Sequence, residues 1–103
     1  MDIVKGESYI VSFVLKANGS PVTSNDVDAV RISLGNQVAY YPDGTLDYNA
    51  ESQTWEFPMS QKNTYSIIGQ TVEYQAQVKI NGEVFSHKKR EIKVEETMFT
   101  KEW

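Results

Sequence analysis

Apolar residues recur at every second position along most of the chain, the spacing of strands with one buried and one wet face. Tyr9, Val11, Phe13 and Leu15 share one side of a first strand. Asn18-Gly19 then punctuates, Pro21 opens an irregular stretch, and Ser24 reads as the cap of a short turn through Asp26 and Val27. A second strand turns Val30, Ile32 and Leu34 inward and Arg31 and Ser33 outward. Gly35-Asn36 has the residue order of a type II′ hairpin turn, so residues 37–41 form the return strand. Pro42-Asp43-Gly44 is a turn by composition, with Gly44 expected to take a positive φ; Leu46 and Tyr48 then face inward across Asp47.

Alternation resumes with Trp55, Phe57 and Met59 inward against Thr54 and Glu56 outward, and Pro58 on the outer side favours an edge or a strand's end. Residues 60–68, closed by Gly69, predict a helical turn or two with an N-cap and a C-terminal glycine. The clearest strand sets Val72, Tyr74, Ala76, Val78 and Ile80 against Glu73, Gln75, Gln77 and Lys79, and Asn81-Gly82 is a strong hairpin signal. In the last strand Val84, Ile92 and Val94 share a parity with Lys88 and Arg90. All five cannot be buried, which predicts a bulge or a departure from the sheet at residues 86–89. The expected core includes Phe13, Ile32, Trp55, Phe57, Tyr74, Ala76 and Val78.

About seven short strands with turn signals at roughly 8–12-residue spacing predict an all-β antiparallel sandwich with one short helical turn. A small β-barrel is the alternative that the same alternation permits. At 103 residues the chain has room for one core, so residues 1–94 are expected to form the sandwich and residues 95–103 a tail. The zero cysteines exclude disulfides, thiolate zinc and thiol nucleophiles. No apolar run approaches the roughly 20 residues that span a bilayer, and the opening residues carry no basic region or cleavage site of a secretion signal. Net charge is -4, contrary to the needs of a general nucleic-acid binder. The run His87-Lys88-Lys89-Arg90 reads as a guarded edge strand rather than a track for phosphates.

Catalytic equipment is sparse. His87 is the single histidine, and its cationic neighbours suit neither a triad nor zinc, so a solvated surface residue is expected. Asp26 with Asp28 and Asp43 with Asp47 lie in no calcium-loop or glycosidase frame and read as turn-capping carboxylates. No nucleotide or hydrolase motif is present, and no catalytic residue, metal or cofactor is expected. Tyr40, Tyr41, Tyr48 and Trp55 cluster in sequence, and Tyr40, Tyr41 and Trp55 offer an alternative role as a sugar platform, although most of these rings fall at inward parity. In the tail, Met98, Phe99 and Trp103 are the candidates for contact with a partner.

Residues 68–78, Ile-Gly-Gln-Thr-Val-Glu-Tyr-Gln-Ala-Gln-Val, resemble the tyrosine-corner segment of immunoglobulin-like and fibronectin type III domains, in which a bend leads into a Tyr on the penultimate strand. The resemblance implies a Tyr74 hydroxyl bonded to backbone near residues 67–70. Residues 4–13, 18–22 and 30–34 look like the opening of immunoglobulin-like domains in phage baseplate and tail proteins, including the N-terminal domain of upper baseplate proteins. With residues 41–46 and 55–59, the pattern is also similar to small proteins encoded in prophages of Gram-positive gut bacteria. It implies an immunoglobulin-like, non-catalytic virion protein, made in the bacterial cytoplasm. Its expected partners are other phage structural proteins or itself, with no nucleic acid and no membrane. A carbohydrate-binding or surface-adhesion module is the alternative function.

Overall fold

The computed structural model describes residues 2–4, 7–17, 19–65, 67 and 69–95. The period-two segments become strands, in chain order β1 (Asp2–Val4), β2 (Tyr9–Phe13), β3 (Lys16–Ala17), β4 (Ser20–Pro21), β5 (Ala29–Leu34), β6 (Gln37–Tyr41), β7 (Asp47–Asn49) and β8 (Thr54–Met59). A one-turn helix α1 (Gln61–Tyr65) follows, then β9 (Thr71–Ile80), β10 (Glu83–Ser86) and β11 (Arg90–Glu95). The fold is thus nearly all β, as the alternation predicts.

One sheet runs β1-β11-β9-β5-β6, with β10 also on β9; the other runs β2-β8-β7, and β3 with β4 forms a small hairpin. Their inward faces share one core. Val11, Phe13, Trp55, Phe57 and Met59 come from the three-stranded sheet, and Val30, Ile32, Leu34, Val72, Ala76, Val78, Ile92 and Val94 from the larger one. Phe13 on β2 meets Tyr74 on β9 with ring centroids 4.8 Å apart, and Tyr41 on β6 meets the edge of Trp55 on β8 at 5.0 Å. These two contacts tie the sheets face to face.

The turns follow their chemistry. Gly35 has φ +60° and Asn36 is not in the positive region, the type II′ pattern, whereas Asn81 and Gly82 both have positive φ (51° and 81°), the type I′ pattern. Gly44 departs from expectation because its φ is not positive. Its need for glycine is steric, since a Cβ there would lie 2.7 Å from the Tyr40 carbonyl oxygen. The 42–46 loop crosses the free edge of β6 at that point, and the Leu46 N–H donates to the same carbonyl at 3.2 Å. The loop thereby covers the Tyr40 carbonyl on an edge strand without charged residues.

The expected irregularity in the last strand is a β-bulge. Ser86 pairs Gln77 and Arg90 pairs Tyr74, so residues 87, 88 and 89 stand opposite only 75 and 76. One extra residue switches parity, so Val84 sits outward beside Lys79 while Ile92 and Val94 turn into the core.

Several elements differ from expectation. β1 pairs in parallel with β11 and buries Ile3 completely; three residues are too short a run to show a period. Pro58 lies near the end of β8, beyond the span of β7, so it breaks no ladder there, although β8 is the central strand. The cap near Ser24 is instead made by its neighbours, since Asp26 accepts from the Thr23 N–H (3.0 Å) and hydroxyl (2.9 Å). α1 is shorter than residues 60–68 but does start with a cap, Ser60 Oγ accepting the Asn63 N–H at 3.1 Å. Glu95 is the last residue of β11, paired with Val4, and not the start of a tail. Tyr74 is half-buried against Phe13, and its hydroxyl has no hydrogen-bond partner among the described residues; Ile68 of the expected corner lies outside them.

Candidate interaction surface

The clustered aromatics divide between core and surface. Trp55 is 0% exposed, held between Tyr41 and Tyr48 (the latter at 4.8 Å), and its indole N–H donates to the Val22 carbonyl at 3.0 Å. A buried indole needs such a partner, and the chain entering from β4 supplies it. Tyr41 turns inward to reach Trp55, whereas its neighbour Tyr40 is 49% exposed on the opposite side of β6. The platform of Tyr40, Tyr41 and Trp55 is therefore not assembled: strand alternation separates the two tyrosines, and the core takes the tryptophan.

His87 is not the solvated residue expected. It occupies the bulge, with its N–H bonded to Ala76 O (2.9 Å) and its carbonyl accepting from the Gln75 amide (3.0 Å). Its Nε2 faces the Lys16 carbonyl at 3.1 Å, which only accepts, so Nε2 carries the proton; Nδ1 is buried without a hydrogen-bond partner. The ring thus ties the β3-β4 hairpin to the bulge. Sequence reading missed this, because the carbonyl that holds the ring belongs to Lys16, 71 positions away in the chain. The cationic run does not form a continuous track either. Lys89 Nζ lies 3.2 Å from Glu73 Oε2, both exposed, relieving the cross-strand apposition of Glu73 and Glu91.

Asp26 and Asp28 serve turns, as their positions suggest, whereas the turn-capping role expected of Asp43 and Asp47 is not seen among the described residues. Asp28 Oδ2 accepts the Gly82 N–H at 3.0 Å, fastening the β9-β10 turn. The Thr23 N–H, then its hydroxyl, hold the Asp26 carboxyl below the usual aspartate range, against a small opposing effect of desolvation. Asp47 stands outward on β7. Among the described residues no group of three or more His, Asp or Glu is placed to hold a metal.

A concavity of about 560 Å³, open to solvent, lies by the β5-β6 turn, where Ser33, Asn36 and Gln75 accompany the mutually neutralising Glu73 and Lys89. More distinctive are the outer sheet faces. Val38, Tyr40 and Val84 are about half exposed on the larger sheet; Ile10 and the following Val14 are equally exposed on the β2 side. Met98, Phe99 and Trp103 lie outside the described residues.

Comparison with protein-family models, curated proteins and solved structures finds no match. Among the described residues no helix is long and apolar enough to cross a membrane.

Proposed function

We propose that the chain is an immunoglobulin-like module of a phage tail or baseplate assembly, non-catalytic and acting through protein-protein contacts. The strand order supports the immunoglobulin-like part: β2-β8-β7 packs against β1-β11-β9-β5-β6, the arrangement in which the first strand leaves its own sheet to run parallel to the last. The resemblance of residues 4–13, 18–22 and 30–34 to the opening of phage baseplate domains supports the virion setting. His87, the sole imidazole, is occupied with holding backbone at the bulge, which favours a structural role over general-base chemistry.

The observation that carries the reading is the placement of exposed apolar side chains. Val38, Tyr40, Val84, Ile10 and Val14 spread over flat outer sheet faces rather than lining a deep cleft, with Phe85 exposed on the opposite side of β10 from Val84, the distribution of a surface that meets another protein. The test is to induce particles in cells carrying the gene, band them by density and quantify the chain by mass spectrometry. A fixed stoichiometry with particle proteins is expected. Recovery only in the free protein fraction would overturn the proposal.

A further inference from the structure

We infer that copies of this chain stack on one another, the outer face of the larger sheet of one copy docking on the outer face of the β2-β8-β7 sheet of the next. The inference rests on the reading of the chain as an assembly module and names its partner. On the larger sheet, register places Arg31 beside Tyr40, Ser33 beside Val38 and Lys79 beside Val84. Arg31 Nε donates to Gln77 Oε1 at 2.6 Å, which fixes the guanidinium on the face, and among the described residues it has no ion-pair partner. Shallow grooves of about 260 and 420 Å³ flank Arg31 and Tyr40, one bordered by Ser33 and Val38, the other by Lys79 and Val84. Around Tyr40 the face thus offers cations between apolar ridges, while Glu73 and Glu91, with Lys89 paired to Glu73, lie toward the other end of β9.

The other sheet presents the complement. Glu56 of β8 stands between Ser12 of β2 and Asp47 of β7, all outward, and no outward residue of these three strands is a cation. Carboxylates directly opposite each other repel, and a cation delivered from outside relieves the repulsion. Ile10 beside Pro58, together with Val14, gives this face apolar ground on both sides of Ser12. A chain of net charge -4 repels its copies in most orientations, whereas this one sets Arg31 and Lys79 against Asp47 and Glu56. Pairing the Arg31–Lys79 part of the larger face with itself would oppose cation to cation. Because the two faces differ, the contact is heterologous and repeats into a ring or a filament.

The test is sedimentation velocity on the full chain at low ionic strength over a wide concentration range. Association that weakens with added salt is expected. Arg31→Glu cancels Lys79 on one face and Glu56→Arg cancels Asp47 on the other, so each variant alone loses the charge complement and should associate about tenfold more weakly or worse, and an equimolar mixture, which restores it with the pair reversed, should recover. Circular dichroism confirms that each folds, and Arg31→Gln and Glu56→Gln supply milder versions. A monomeric wild type, a mixture that does not recover, or a response to Arg31→Glu without one to Glu56→Arg overturns the inference. A chain ending at residue 97 should still stack. If association disappears with those last six residues, stacking is refuted while the assembly role stands; stacking by a chain missing from particles refutes only the virion role.

Discussion

Two residues show how single side chains hold the described structure. Trp55 fills the space between the sheets and bonds the Val22 carbonyl, so Trp55→Phe removes volume and leaves that acceptor unpaired. A loss of about 2–4 kcal/mol in denaturant-monitored stability is expected. Asp26 is exposed but stabilised as the carboxylate by the Thr23 N–H and hydroxyl, so its folded value lies below that of the unfolded chain. Its contribution is present above the ordinary aspartate range and is lost as pH falls through the lowered folded value. An NMR titration of the carboxyl should therefore show a depressed midpoint in the wild type and a partial return in Thr23→Val, which keeps only the backbone donor.

At the scale of elements, turns and the bulge decide register. A Cβ on Gly35 would lie 2.9 Å from Val72 Cγ2 at a φ of +60°, so Gly35→Ala should destabilise by about 1–3 kcal/mol, read from the unfolding midpoint. The extra residue at 87–89 has a larger consequence, since it alone lets Val84 point out while Ile92 and Val94 point in. Deleting Lys88 removes the extra residue, so the Ser86–Gln77 and Arg90–Tyr74 pairs join one unbroken ladder with Val84 still outward and Ile92 and Val94 still inward. That variant is expected to keep cooperative thermal unfolding, as is Lys88→Ala, and its loss in the deletion alone would show that the bulge itself is required. This bulge was legible because parity failed over five named residues. The β3-β4 hairpin and β1 were not, being two and three residues long.

Across the described residues of the whole molecule, the two packed sheets, with Leu15, Val22, Leu46 and Ile67 from the connections, account for the buried apolar residues and leave Val38, Tyr40, Val84, Phe85, Ile10 and Val14 about half exposed. The apolar residues at the C-terminal end offer a separate means of contact under the proposed function. Removing residues 98–103 should reduce incorporation into particles, measured by mass spectrometry, while leaving the unfolding midpoint of the sandwich within about 0.5 kcal/mol of the wild type, as surface changes do. A large drop in stability would instead make those residues part of the core.

The sequence by itself determined the fold class, the main turns, the core side of each long strand and the bulge. All of these follow from backbone geometry within a few residues: side chains alternate with period two, and positive φ is cheap only for Gly and Asn. Tertiary structure decided what depends on partners distant in the chain. Alternation along β6 did not reveal that Trp55 draws Tyr41 inward and leaves Tyr40 to solvent, nor did the His87 run reveal the carbonyl of Lys16, 71 positions away. Likewise, Asp47 and Glu56 are unremarkable in sequence, and only strand pairing sets them side by side on one face with Arg31 and Lys79 on the other. Pairing between sheets is fixed by the burial of the whole core at once, which no local window contains.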